Sequence, residues 1–164
     1  MQTVLIANRG EIAARIGRTL RRMGIASVAV CSEADRFTRP VLDADEFVLL
    51  GPAPAAESYL HEEAIVAACL STGAQAVHPG YGFLSERAGF AERLATHGIR
   101  FIGPSPANIR DFGLKHTARA LAEAAGVPLL PGSGLLDDAD AAQAAAAKIG
   151  FPVMLKSTAG GGGI

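Results

Sequence analysis

The sequence predicts an α/β fold built on a mainly parallel sheet, and two observations predict it. Short apolar runs rich in Val, Ile and Leu alternate with stretches of helical period. Each apolar run then ends in a turn containing glycine, proline or asparagine, the kind of position at which α/β folds open their crevices. Right-handed crossovers are expected, with the active loops at the carboxyl ends of the strands.

The elements follow in order. Thr3–Ala7 is the first strand, and Asn8-Arg9-Gly10 turns into a helix over Glu11–Met23, with Ile12, Ile16 and Leu20 on one stripe and Gly24 as its stop. Ile25–Cys31 is a second strand, Ser32–Pro40 a polar loop and Glu46–Leu50 a third strand. After Gly51-Pro52-Ala53-Pro54, helical period resumes over Tyr59–Ser71, and Ala74–His78 is the fourth strand. Pro79-Gly80-Tyr81-Gly82 is a turn; Ser85 is the expected N-cap of a helix to His97, with Glu86 in its first turn. Arg100–Ile102 is the fifth strand. Helices over Asn108–Phe112 and Lys115–Ala125 precede a series of breakers (Gly126, Pro128, Pro131, Gly132, Gly134), which reads as a linker into a second unit. That unit holds an alanine-rich helix, Asp138–Ile149, then a strand, Pro152–Lys156, and a glycine run.

Composition excludes several classes. At about 150 residues per domain, 164 residues make one domain with little over. Fifteen Lys and Arg against sixteen Asp and Glu, with a pI near 6.4, give no electrostatic footprint for a nucleic acid, and 5% aromatics give no stacking platform. Mean hydropathy is +0.27, yet alanine supplies much of it and no apolar run approaches the ~18 residues of a membrane span. No nucleic-acid or membrane partner is expected. Met1–Ile6 runs straight into a strand without a basic or apolar leader, which points to the cytoplasm. Cys31 and Cys69, with no CxxC spacing, read as buried reduced thiols.

Three segments carry chemical signals. The Asn8–Ala13 turn has one glycine where a dinucleotide fingerprint needs three, and Glu11 stands where a pyrophosphate would sit, which argues against a nicotinamide-dependent oxidoreductase. Arg9 and Glu11 read equally as a charged turn or as part of an inter-domain contact. The segment His78–Glu86 lies at the end of the fourth strand, where its glycines could present Tyr81 and free amides or simply shape a tight turn. Lys156 ends a strand before Gly160, Gly161, Gly162 and Gly163, glycines that would let backbone amides approach phosphate oxygens. A P-loop has the reverse order, with its lysine after the glycines. The four histidines have no metal-ligand spacing, and Glu62-Glu63 and Asp137-Asp138 sit where helix dipoles explain them.

Taken together, Ile6–Ala13, Gly51–Pro54 with Ser58-Tyr59-Leu60, His78–Glu86 and Lys156–Gly163 resemble the biotin carboxylase family, in order and along essentially the whole chain. The resemblance implies an ATP-grasp protein: a Rossmann-like N-terminal domain over residues 1–112, then a linker helix and the start of an ATP-grasp lid over 113–164. It implies ATP, Mg2+ and bicarbonate as reactants, biotin on a carrier domain as substrate, and carboxyphosphate as intermediate. Lys115 and Lys156 match lysines that bind ATP phosphates, and Gly160–Gly163 match the loop that folds over the nucleotide. Tyr81 matches a residue near the biotin ureido pocket, with His78 and Glu86 in the same cavity-forming signature. Arg15 and Arg18 match homodimer-interface positions, although Arg22 stands where some members carry an acid. Phe112–Arg119 and Leu129–Gly132 are most similar to urea carboxylase, since acyl-CoA and pyruvate carboxylases usually have an acid where Leu114 stands. The catalytic, magnesium and bicarbonate residues of the family match no position before Ile164. The chain is therefore expected to be an N-terminal part, inactive alone; the alternative is a binding or dimerisation module that kept the fold without the catalysis.

Overall fold

The computed structural model describes residues 1–157, which divide into two compact units at Pro106/Ala107. The first is a five-stranded, all-parallel sheet. It runs β1 (Thr3–Ile6), α1 (Gly10–Arg22), β2 (Ala26–Ser32), a 3-10 turn at Glu33–Asp35, α2 (Arg39–Leu42), β3 (Glu46–Gly51), a second 3-10 turn at Ala55–Glu57, α3 (Glu62–Thr72), β4 (Ala76–His78), α4 (Ala88–Thr96) and β5 (Arg100–Phe101). In space the strands stand in the order β3-β2-β1-β4-β5.

β1 is the hub. Leu5 lies opposite Val28 of β2 on one side and Val77 of β4 on the other. A strand covered on both faces needs apolar side chains at consecutive positions, and Val4, Leu5 and Ile6 are all buried. The two-residue period then divides them. Leu5 joins Val28, Val30 and Val77 against Ile65 of α3 and Phe90 and Leu94 of α4. Val4 and Ile6 join Ala76 against Ala13, Ile16 and Leu20 of α1. A smaller cluster, Ala29, Cys31 and Val41, lies under α2. Both cysteines are free and buried, and burial pushes the Cys69 thiol up to about 12.

The chain winds outward from β1 to β3 and then crosses back to β4, so the order of winding reverses between β1 and β4. That reversal opens a crevice at the carboxyl ends of these two strands.

Two predicted helix starts differ from the structure. Tyr59 and Leu60, read as helical, precede α3, because the His61 ring accepts the Ala64 N–H at 3.1 Å and caps the helix there. Tyr59 is instead buried as an anchor. Ser85 does not cap α4: it sits in hydrogen-bonded turns (Ser85 N to Gly82 O, Arg87 N to Leu84 O) that put Leu84 into the core before the helix begins at Ala88. Glu86 is accordingly in that turn and not in the first helical turn. The loop expected over Ser32–Pro40 contains the 3-10 turn and the start of α2, whose Pro40 suits an opening helical position.

Helix α5 (Pro106–Gly113) starts on the last residue of the first unit and lies otherwise in the second, which goes on with α6 (Lys115–Ala124) and α7 (Ala139–Ile149). Asp138 caps α7 by accepting the Ala141 N–H at 2.8 Å, and Gly150 closes it. The strand expected over Pro152–Lys156 is not formed: these residues are exposed and join no ladder among the described residues, and an apolar run becomes a strand only beside a hydrogen-bonding neighbour. Gly160, Gly161, Gly162 and Gly163 lie outside the described residues.

Candidate functional site

The crevice between β1 and β4 is built around one asparagine. Asn8 follows the apolar run Val4–Ala7 and is 1% exposed, so its amide must find partners inside the protein. It finds them about 70 residues away: Nδ2 donates to Pro79 O at 2.7 Å and to Tyr81 O at 2.9 Å, while Oδ1 accepts the Arg9 N–H at 2.9 Å. The two loops are thus stitched together by a single side chain. Gly80, between the two carbonyls, has φ +67°, and a Cβ there would lie 2.5 Å from Ile12 Cγ2 and 2.8 Å from Asn8 Nδ2. Only glycine meets both the left-handed conformation and the close approach.

His78 ends β4, and its Nδ1 accepts the Gly80 N–H at 3.0 Å, so the proton of the neutral ring is on Nε2. Burial holds its pKa below the usual histidine range. Tyr81 is exposed, lines the crevice and donates its hydroxyl to Glu11 Oε1 at 2.6 Å; that bond to a carboxylate raises the phenol above its ordinary value. Glu11 lies in the first turn of α1, where the helix dipole favours an acid. The cavity bounded by Asn8–Ile12 and Tyr81–Phe83 measures about 430 Å³, within the range that takes a small organic ligand.

Beside it lies a cluster that sequence reasoning missed. The guanidinium carbon of Arg9 is 5.5 Å from the ring centroids of both Tyr59 and Phe83, and those two rings stack at 5.3 Å. Arg9 Nη1 is 3.5 Å from Asp35 Oδ2, which also accepts the Tyr59 hydroxyl at 2.7 Å and the Ser32 hydroxyl at 3.1 Å. Burial pushes the Asp35 carboxyl up, but these hydrogen bonds and the Arg9 charge outweigh it and leave the group below the usual carboxylate range. Burial, then the bond to Asp35, pushes the Tyr59 phenol up to about 12. The available signals were a lone Asn ending an apolar run and a Tyr ahead of a helix start; Asp35, in a polar loop, carried none.

The remaining expected site residues are dispersed. Glu86 is exposed on the turn before α4. Arg15 and Arg18 are exposed on α1, where Arg15 Nη1 donates to Thr19 Oγ1 at 2.6 Å. Arg18 lines a second cavity of about 350 Å³ with Arg21, Arg39 and Asp43. In the second unit, Lys115 is the exposed first residue of α6, and Lys156 is exposed in a segment without regular secondary structure. Both lysines could offer an ammonium group to phosphate oxygens. Among the described residues, no three His, Cys, Asp or Glu side chains gather as a metal site. No helix among them is long and apolar enough to cross a membrane.

Residues 1–109 match the biotin carboxylase N-terminal domain, and residues 115–164 match the ATP-binding domain of the carbamoyl-phosphate synthase L chain. Over 99% of its length the chain is 56% identical to urea amidolyase of Lachancea kluyveri, of which it covers 9%. It is also 56% identical to the mitochondrial methylcrotonoyl-CoA carboxylase subunit alpha of Oryza sativa subsp. japonica, of which it covers 22%. The chain thus spans about a tenth to a fifth of the length of these curated relatives. Among solved structures, the biotin carboxylase beta-gamma-ATP complex from Campylobacter jejuni superposes with a TM-score of 0.94 at 47% identity, over 99% of this chain and 36% of that one.

Proposed function

The chain belongs to the biotin carboxylase family, and from that premise we propose that it forms the N-terminal part of an enzyme that carboxylates biotin at the expense of ATP and bicarbonate. In this reading, bicarbonate takes the terminal phosphoryl group of ATP to give carboxyphosphate and ADP. Carboxyphosphate then releases phosphate, and its CO2 is captured by the ureido nitrogen of biotin on a carrier domain. The observation that carries the proposal is the crevice itself: Asn8–Glu11 and His78–Phe83, far apart in sequence, meet at the point where the sheet's winding reverses.

The roles of individual residues follow from their chemistry. Tyr81, His78 and Glu86 shape the biotin pocket: Tyr81 as an exposed ring with a fixed hydroxyl, His78 by holding the turn through Gly80. Lys115 and Lys156 neutralise phosphate charge, since phosphoryl transfer is catalysed chiefly by positioning and electrostatic stabilisation. Magnesium would supply further charge neutralisation for phosphoryl transfer; the family's magnesium ligands match no position of this sequence. Gly160–Gly163 would close over the nucleotide. Arg15 and Arg18 supply an exposed basic face for a homodimer contact. Because the catalytic, magnesium and bicarbonate residues of the family match no position of this sequence, the 164-residue chain is expected to be inactive alone.

Within the family we read urea as the final carboxyl acceptor, on the support of Leu114 and its neighbours. The methylcrotonoyl-CoA carboxylase subunit is as similar as the urea amidolyase, so acceptor competition is the deciding assay: carboxyl transfer to urea but not to an acyl-CoA thioester.

The ATP assignment is tested in the carboxylase that contains this chain. Lys115→Ala and Lys156→Ala should each lower kcat/KM for ATP by about a hundredfold, the scale of losing one charge or donor aimed at the reacting group. ATP kinetics unchanged in both variants would overturn it.

A further inference from the structure

Arg9 has no part in the roles above, yet its side chain ties together three loops at the crevice. They are the exit of β2 through Asp35, the approach to α3 through Tyr59, and the turn after β4 through Phe83. Phe83 is the one non-glycine residue with positive φ among the described residues, at +44°. A bulky side chain keeps that conformation only where its surroundings over-determine it. Here they do: the Phe83 ring stacks on Tyr59 with an interplanar angle of 11°, Tyr59 is buried and bonded to Asp35 and Ser32, and the Arg9 guanidinium lies against both rings. Phe83 is two residues after Tyr81, and both line the same cavity.

An ion pair as exposed as Arg9–Asp35 contributes little alone. A planar cation shared by two rings and a carboxylate is different, because its shape fixes all three partners at once. Lysine supplies the charge without the plane.

We propose that Arg9 is a positioning residue for the biotin-binding turn: by clamping Phe83 against Tyr59 it holds the left-handed backbone that sets Tyr81 at the crevice. This rests on the reading of Tyr81 as a biotin-pocket residue.

The experiment measures initial rates of the carboxylase containing this chain with free biotin, varying biotin and ATP separately, in Arg9→Met, Arg9→Lys and Tyr81→Ala. Arg9→Met keeps the stem and removes the planar charge; it should raise KM for biotin about tenfold, the scale of a sub-ångström misplacement of a binding group. KM for ATP should stay within about twofold, and Arg9→Lys should fall between wild type and Arg9→Met. Equal losses on both substrates would mean a structural role and overturn the proposal. An unchanged biotin KM in Arg9→Met, with a raised one in Tyr81→Ala, would overturn it and leave the pocket standing. An unchanged biotin KM in Tyr81→Ala would remove the pocket reading and the proposal with it. If Arg9→Met does not fold, Arg9→Lys decides by the same split between substrates.

Discussion

Residues 1–106 and 107–157 are written in similar alphabets and stabilised in different ways. In the first region, α1, α3 and α4 each bury three or four side chains, and all three apolar clusters of the described residues are drawn from it. In the second, α6 and α7 bury none, while Leu130, Met154 and Leu155 are 85, 79 and 80% exposed. The second region is therefore specified locally, by caps, helix propensity and glycine stops. The first is specified by contacts between distant segments. Helices of ten or eleven residues are marginal in water without packing, so the two regions should answer differently to the same kind of mutation.

The largest expected difference comes from deleting an apolar side chain in each. Phe90 is fully buried, with its ring edge-on to Phe101 of β5, and Phe90→Ala should cost about 3–5 kcal/mol. Leu121, 40% exposed on α6, should cost less than about 0.5 kcal/mol as Leu121→Ala. Urea unfolding monitored by circular dichroism measures both. Similar costs would mean that the second region has a core of its own, and the contrast would be lost.

The same contrast explains what was legible beforehand. The alternation of strands and helices needed only residue periodicity, and all five strands of the sheet stand within a residue or two of expectation, as does α7, with its Asp138 cap and Gly150 stop. The strand over Pro152–Lys156 was not obtained, because a strand is a property of two segments and periodicity describes one. The crevice was legible in part. His78-Pro79-Gly80-Tyr81 is contiguous and stands out, whereas Asn8, Asp35, Tyr59 and Phe83 become a site only when the sheet order is known. Ser85 misled for a related reason: its spacing suits an N-cap, but burying Leu84 outweighs the capping hydrogen bond.

A smaller effect sharpens the comparison from the side of the second region. Where a helix lacks a buried face, its cap is a larger share of what holds it. Asp138→Ala removes the acceptor for the Ala141 N–H and should destabilise α7 by about 1 kcal/mol. Amide exchange should show the loss confined to residues 139–149, with exchange in the first region's sheet unchanged. Loss of protection spreading into that sheet would mean that the two regions unfold as one.

The smallest effect belongs to the first region and is read from pH. The pKa of His78 is lowered by burial, and its Nδ1 is already engaged as the acceptor for Gly80 N–H. The unfolded chain therefore binds a proton at this residue near pH 6.5, before the folded chain does. The stabilising contribution is fully present above about pH 6.5 and is lost as pH falls from there through the lower folded-state value. His78→Asn offers an amide oxygen to the same N–H and does not titrate, so its unfolding free energy should stay flatter than wild type as pH falls from 7 toward 5. Parallel pH profiles for the two proteins would show that burial does not hold the His78 pKa below the usual histidine range in the folded chain.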